Sequence, residues 1–335
     1  MNGRATSPES GARPALSVVM IAYDTERYIR QALDSVLMQR VDFDYEIVIG
    51  EDRSTDGTRD IVREYAARYP DRVRPILRDV NLGMNRNFME TLLAARGRFI
   101  ALLDADDYWT SPDKLQKQMD FLASHPECSI CFHNTLVVYE HGDRPTHPFH
   151  MARPEHPISR PVPAPVTTLA DLVIGNYLQT GSVMFRAGLY GELPDWYLDM
   201  PTFDWPLHVL NAEHGDIGFI DEILGAYRVH SAGFWSMRMS RYESLAEVEG
   251  MIRAHELIDR HTGRRYHEAI RAPLLDLYRH AARILLAAGR RAGALRYALR
   301  GWWPPRRVHR ARYARAAALA LAALSPRARV HRSRA

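Results

Sequence analysis

Phe99-Ile100-Ala101-Leu102-Leu103 is a short apolar run that ends abruptly on Asp104-Ala105-Asp106-Asp107. A run of that length, bounded by polar residues, reads as a strand buried on both faces, as in a parallel sheet. Ligands of open α/β sheets bind outside the carboxyl ends of the strands, and the acids sit at that end. Three carboxylates within four residues repel one another unless a cation joins them. Hard carboxylate oxygens suit Mg²⁺ or Mn²⁺, and Mg²⁺ characteristically shares one or two carboxylates with substrate phosphates. The run therefore reads as a metal–diphosphate site. The plainer alternative is an acidic strand-to-helix turn in which Asp107 or a neighbour caps the next helix.

The sequence before this run repeats the theme. Leu16 to Ala22 is apolar and β-branched and ends at Tyr23-Asp24. Glu26 to Met38 places Ile29, Leu33, Val36 and Leu37 on a helical period. Tyr45 to Ile49 is a second strand, running into Glu51-Asp52-Arg53-Ser54-Thr55-Asp56-Gly57-Thr58. A helix over Ile61 to Tyr69, a strand over Val73 to Leu77 and a helix opened by Asn81-Leu82-Gly83 follow. Strand–helix alternation at this spacing predicts βαβ units and a mostly parallel sheet flanked by helices. Right-handed crossovers collect the polar strand ends on one edge. Neither GxGxxG nor GxxxxGK[ST] follows the first strand, which disfavours dinucleotide and P-loop sites. An Asp in the acidic 51–56 turn has the chemistry to accept the ring N–H of uracil or thymine. The alternative is a solvated turn with Ser54 or Asp56 as helix cap.

The net charge of +4 conceals an asymmetry. The last acidic residue is Asp276, and fifteen arginines follow it, leaving 29 basic against 40 acidic residues in 1–276. An acidic body without a reader motif argues against nucleic acid as a partner. No 18-residue apolar run predicts a membrane-spanning helix. Residues 1–14, rich in Gly, Ser, Pro and charge, read as a disordered lead rather than a signal peptide. Cys128 and Cys131 are the sole cysteines and lie in an apolar run, so they read as buried strand thiols rather than a redox or zinc pair. Their sparsity suits a reducing cytosol. The Pro- and His-rich 141–166 stretch predicts a mobile loop near the site mouth rather than a metal tract. Leu178 to Arg186 reads as a strand with a small-residue tip, Thr180-Gly181-Ser182, and Ile217 to Leu224 as another strand. Helical periods then run over 242–258, 266–288 and 292–300. After Trp302-Trp303-Pro304-Pro305, Arg306 to Leu324 reads as a basic amphipathic helix suited to an anionic leaflet, or to packing on the acidic body.

Four motifs recur together in order: Tyr23-Asp24, Glu51 to Thr58, Asn81-Leu82-Gly83 and Asp104 to Asp107. With them the chain resembles the family-two glycosyltransferases of the GT-A fold, of the bacterial cell-surface polysaccharide type, over roughly residues 15–235. The family turn is usually Asp-Asp-Gly-Ser-x-Asp, and here Glu51 and Arg53 replace its first Asp and its Gly. The resemblance implies a GT-A domain over 15–238, with a nucleotide-binding half (15–110) and an acceptor half (111–238). A helical appendage over 239–300 and a basic tail over 301–335 would follow. Donor binding would fall to Tyr23, Asp24, Glu51, Asp52, Asn81, Gly83, Asp104 and Asp106, with Asp52 on the base. Asp106, joined by Asp107, would hold Mg²⁺ or Mn²⁺.

In the second half, Asp204 matches the family's acceptor-site acid and would be the general base, with a plain helix N-cap as the alternative. Tyr227-Arg228-Val229-His230 through Gly233, Trp235 and Ser236 resembles the family's Tyr-Arg-x-His-x-x-Gly-x-Trp-Ser segment, which implies His230 as a further metal or diphosphate ligand. Thr180, Gly181, Trp205 and Trp235 are the candidate acceptor residues, and Tyr108 and Trp109 are further stacking walls or core. The implied activity is inverting transfer from a UDP- or dTDP-sugar to a hydroxyl of a glycan or lipid-linked acceptor. It would take place in the cytoplasm, or at the inner face of the plasma membrane. A non-catalytic nucleotide-sugar-binding or scaffold protein on the same fold is the alternative.

Overall fold

The computed structural model describes residues 13–142, 144–151, 161–162, 164–231, 233 and 243–301. Strand β1 (Leu16–Ala22), helix α1 (Ile29–Leu37), β2 (Tyr45–Glu51), α2 (Thr58–Arg68), β3 (Val73–Leu77), α3 (Met84–Ala94) and β4 (Phe99–Leu102) alternate as the hydrophobic periods predict. Then come β5 (Tyr108–Trp109), α4 (Lys114–Ser124), β6 (Cys128–Tyr139), β7 (His147–Pro148), β8 (Val166–Thr167) and α5 (Leu169–Leu172). β9 (Met184–Arg186), α6 (Asp204–Ala212), β10 (Asp216–Val229), α7 (Leu245–His261), α8 (His267–Ala287) and α9 (Arg291–Arg300) complete the described chain.

The strands join one sheet in the order β3-β2-β1-β4-β9-β6-β10-β5, with β7 on β6 and β8 on β10. β3, β2, β1 and β4 are mutually parallel, so their carboxyl ends share one edge. β9 runs antiparallel between β4 and β6, and β10 lies parallel to β6. Strands apolar on both sides need cover on both sides. Along β1, Leu16, Val18 and Met20 pack with Ile29 and Leu33 of α1, Ile61 of α2 and Leu115 of α4. Val19, on the opposite face, packs with Phe88 and Leu92 of α3 and with the Trp205 side of α6. Val248, Ile252 and Ile258 of α7 and Ile270 of α8 bury their apolar stripes in that second layer.

Two expectations change. The 178–186 stretch is a strand only at its end: Thr180–Ser182 forms a 3₁₀ turn, and β9 is Met184–Arg186. The turn is held from below by Trp109 and Gln118, which donate to the Gly181 and Ser182 carbonyls at 2.8 Å each, so the backbone cannot extend into the sheet there. In the Pro- and His-rich stretch, β7 pairs Val137 with His147 and buries the His147 side chain; residues 152–160 lie outside the described residues. Cys128 and Cys131 are buried free thiols in β6, as expected.

At the end of the sheet remote from the carboxyl edge, Glu46 ties three segments. It accepts from Ser17 Oγ at 2.7 Å, the Arg96 amide at 2.9 Å, and the Arg96 and Arg74 guanidinium groups at 2.8 and 3.1 Å. Burial opposes ionisation here, but the donors of Arg96, Ser17 and Arg74 outweigh it and pull the carboxyl down to about 2. A folded-state value below the unfolded one stabilises the fold fully above the unfolded value of about 4.3 and is lost as pH falls toward 2. With the partly exposed arginines screened by solvent, this contributes about 1–2 kcal/mol. Glu46→Gln should therefore lower the melting temperature at pH 7. Melts between pH 7 and 2 should show the gap to the wild type closing below about pH 5, and a gap that widens on acidification contradicts the assignment.

Candidate active site

The carboxyl edge begins with two loops zipped together. The Asp24 amide donates to Ser54 Oγ at 3.1 Å, and Asp24 Oδ1 accepts the Thr55 amide at 2.7 Å. The Thr25 amide donates to Thr58 Oγ1 at 2.8 Å, and the Glu26 amide to Asp56 at 3.0 Å. Both loops pass through the left-handed region at non-glycine residues, Asp24 with φ 50° and Arg53 with φ 63°. The Arg53 backbone thus adopts the kind of conformation that a glycine takes at no steric cost. Glu51 is not a cavity residue. It is fully buried, accepts the Ser54 amide at 2.6 Å and pairs with Arg59 at 3.1 Å, so it shapes the turn instead of meeting a ligand.

Asp52 bridges β2 to α3. Its Oδ1 accepts the Leu82 amide at 2.7 Å and its Oδ2 the Gly83 amide at 2.9 Å. Asn81 donates to the Asp52 carbonyl at 3.1 Å. Gly83, at φ 79°, lets the chain turn sharply into the helix, whose exposed N–H groups favour an anion. Tyr23, Asp24, Asp52, Asn81 and Gly83 all line one cavity of about 660 Å³. That volume is ordinary for a small-molecule ligand.

Asp104 and Asp106 face the same cavity. Asp106 Oδ2 lies 2.9 Å from His230 Nε2, across 124 residues of sequence. Burial, then the neighbouring charges of Asp106 and Asp204, push the Asp104 carboxyl well above the usual range. A negatively charged wall in which one acid resists ionising has the chemistry of a cation site. Among the described residues no three His, Cys, Asp or Glu side chains form a ready-made cage. Asp107 departs from the expected ligand set. It is 2 % exposed, and its oxygens accept the Arg228 amide at 2.7 Å and Gln179 Nε2 at 2.9 Å, so it turns away from the cavity. Burial and the Asp106 and Asp104 charges push its carboxyl well above the usual range too, against the pull of the Arg228 N–H.

Asp204 enters the cavity from α6. Its Oδ1 accepts the Trp205 amide at 2.7 Å, while Oδ2 accepts Asn176 Nδ2 at 2.8 Å and Thr180 Oγ1 at 3.3 Å. Of the expected acceptor residues, Thr180 lines the cavity. Gly181 does not, because it is buried and its carbonyl is taken by Trp109. Trp205 is 1 % exposed with its indole N–H donated to Leu172 at 3.0 Å, so it is core. Trp109 is core as well, with the Lys114 ammonium 3.7 Å from its ring centre. Trp235 lies outside the described residues.

Sequence reasoning passed over three side chains. Arg228, whose guanidinium sits 4.6 and 5.1 Å from the Tyr28 and Tyr108 ring centres, is the sole Arg or Lys among the described cavity residues. Its place two residues before His230 was the available signal. Asn176 and Gln179 carried none, because their partners are set by folding alone. The left-handed Arg53 makes a separate prediction: Arg53→Gly should raise the unfolding free energy by about 1 kcal/mol in urea titrations, whereas destabilisation would show that its side chain compensates for the backbone cost.

The profile "Glycosyl transferase family 2" matches residues 17–175. An uncharacterized protein of Mycobacterium tuberculosis is 39% identical over 264 residues, covering 76% of this chain and 71% of that protein. EpsE of Bacillus subtilis, whose name assigns it provisionally to the glycosyltransferases, is 32% identical over 180 residues, 54% of this chain and 59% of its own. The solved mannosyltransferase PcManGT of Pyrobaculum calidifontis, in complex with GDP-Man and Mn²⁺, superposes with a TM-score of 0.52 at 18% identity, over 96% of this chain and 90% of that one. S. aureus TarS 1–349 with UDP-GlcNAc superposes with a TM-score of 0.50 at 18% identity, over 84% of this chain and 88% of that one. Such low identities speak for the fold alone. The edge of zipped loops, the Asp104–Asp106 wall and the profile match together make the chain a member of glycosyl transferase family 2, and a glycosyltransferase.

Proposed function

We propose that this glycosyltransferase moves a sugar, with inversion, from a nucleoside-diphosphate donor to a hydroxyl of a glycan or lipid-linked acceptor. UDP- and dTDP-sugars are the favoured donors. The observation that carries the reading is that one cavity is lined both by Asp104, Asp106 and His230 and by Asp204 of α6. Inversion requires the hydroxyl to approach the anomeric carbon opposite the departing diphosphate, so the base and the diphosphate site must open on one common cavity. Asp204 takes the hydroxyl proton as the new C–O bond forms, and the electron pair of the breaking C–O bond leaves with the diphosphate. A carboxylate offers about four lone-pair sites. Trp205, Asn176 and Thr180 occupy three, which holds the carboxylate in one orientation with a site left for the acceptor proton.

Mg²⁺ or Mn²⁺ would be held by Asp106 with Asp104 and His230, and when bound it would neutralise charge on the diphosphate. Asp52 would accept a ring N–H of the base, and Tyr23 and Asp24 would border the nucleoside. That PcManGT is solved with GDP-Man and Mn²⁺, and TarS with UDP-GlcNAc, supports a nucleotide-sugar donor. Among the described residues no helix is long and apolar enough to cross a membrane. A cytoplasmic enzyme whose arginine-rich residues after 301 rest on an anionic inner leaflet would meet a lipid-linked acceptor there; those residues lie outside the described ones.

Thermal shifts with UDP-, dTDP-, GDP- and CMP-sugars, with and without Mn²⁺, test the donor site, since a ligand bound to the native state raises the melting temperature. One nucleotide class should give a Mn²⁺-dependent rise that Asp106→Ala loses. Asp204→Asn should keep the rise yet lower transfer by about 10²–10⁴-fold. Undiminished transfer by Asp204→Asn would remove it as the base.

A further inference from the structure

Asp104, Asp106 and Asp107 stand within four residues, yet only the first two open on the cavity. Asp107 faces inward and joins two distant segments. Its Oδ1 accepts the Arg228 amide across 121 residues, and its Oδ2 accepts Gln179 Nε2 across 72. Its own amide donates to the Asp104 carbonyl at 3.1 Å, which closes the acidic turn. Each tie leads directly to a cavity group. Arg228 stands two residues before His230, the partner of Asp106 at 2.9 Å. Gln179 immediately precedes Thr180, which donates to Asp204 at 3.3 Å. Trp109 and Gln118 hold the far side of the 180–182 turn, at Gly181 and Ser182. The Gln179–Asp107 bond is therefore the tie at the end of the turn that carries Thr180.

Burying a carboxylate is costly, and an apolar side chain fills space more cheaply. What a carboxylate adds is direction: two N–H donors from distant segments must meet its two oxygens at fixed geometry. We propose that Asp107 is a positioning residue that sets the spacing between the Asp106–His230 pair and the Asp204 base, through its bonds to the Arg228 amide and to Gln179. The inference rests on the proposed roles of Asp106 and Asp204. It also uses one unspent atom: Gln179 Oε1 is buried and has no hydrogen-bond partner among the described residues.

That atom makes an exchange experiment possible. In Asp107→Asn, the new amide keeps both ties: its oxygen accepts the Arg228 N–H, and its NH₂ donates to Gln179 Oε1 once the Gln179 amide turns over. In Gln179→Glu, the N–H donor to Asp107 Oδ2 is lost and a second buried acid faces one that already resists ionising, so the amide tie is gone. In the double variant, the amide introduced at position 107 donates to the carboxylate introduced at position 179, and the tie is restored. The readout is nucleoside-diphosphate release from the donor that gives the thermal shift, with Mn²⁺ and a panel of alkyl glycosides as acceptors. Gln179→Glu should lower kcat on the order of 100-fold, the scale of an ångström's misplacement, with donor KM within about threefold of the wild type. Asp107→Asn should stay within about threefold in kcat, and the double variant should recover to within about tenfold. A role in folding alone would move melting temperatures without this kcat-against-KM split or the reciprocal rescue. If Gln179→Glu fails to fold, Gln179→Leu should show the same kcat loss without rescue by Asp107→Asn. Wild-type kcat in the Gln179 variant, or a double variant no better than Gln179→Glu, overturns the inference. A wild type that binds and turns over none of the donors sinks the proposed function together with this inference. A wild type inactivated by Asp204→Asn but indifferent at Gln179 sinks this inference alone.

Discussion

Parallel register is the constraint on which this molecule depends. β1 pairs with β2 from Leu16 opposite Tyr45 through to Ala22 opposite Glu51, and with β4 from Leu16 opposite Phe99. Strands aligned in this way end together, so the segments that follow them, at Tyr23, Asp52 and Asp104, must share one edge. A one-residue slip would turn Val18 and Met20 away from α1 and Val19 away from α3, exchanging two apolar layers that are shaped differently. Burial on both faces therefore positions the site as firmly as any polar contact within it. Glu46 pins the opposite end of the same strands, where Ser17, Arg74 and Arg96 converge on it.

The acids on the carboxyl edge divide by the donors that reach them. Asp52 and Asp107 each accept two N–H groups from other segments, which turns a charge into a joint between elements. Among the described residues no such donors reach Asp104, and burial together with its neighbours raises its carboxyl well above the normal range. Asp106 leans on His230, and Asp204 on Asn176 and the Trp205 amide. Adjacent residues of one type thus do unlike work because the backbone alternates and the donors differ. Asp106 opens on the cavity, while Asp107, the next residue, is spent on Arg228 and Gln179.

Much of this was legible in the residues. Apolar runs of strand length, each stopping at a polar cluster, specify buried parallel strands and the edge where chemistry collects. The helices expected from sequence match α1 to α3 and α7 to α9 to within a few residues, because local spacing alone decides which face of a helix is apolar. The acidic run, the Asn81-Leu82-Gly83 helix start and Asp204 were visible as residue types in order, and the structure brings them around one cavity.

What only the tertiary structure decided is which of these groups face the cavity. Trp205, Gly181 and Glu51 read as site residues by position, but they are buried, with Trp205 bonded to Leu172, Gly181 to Trp109, and Glu51 to the Ser54 amide and paired with Arg59. The 178–186 stretch has strand-like residues, yet two carbonyls taken by Trp109 and Gln118 bend it into a turn. Gln179 and Asn176 carry no pattern at all, and their roles come from partners many residues away in sequence. Periodicity reports the environment of a residue averaged over its own element, so it determines fold and edge. The direction of one carboxylate depends on hydrogen-bond donors brought in from other elements, and those exist only once the chain has folded.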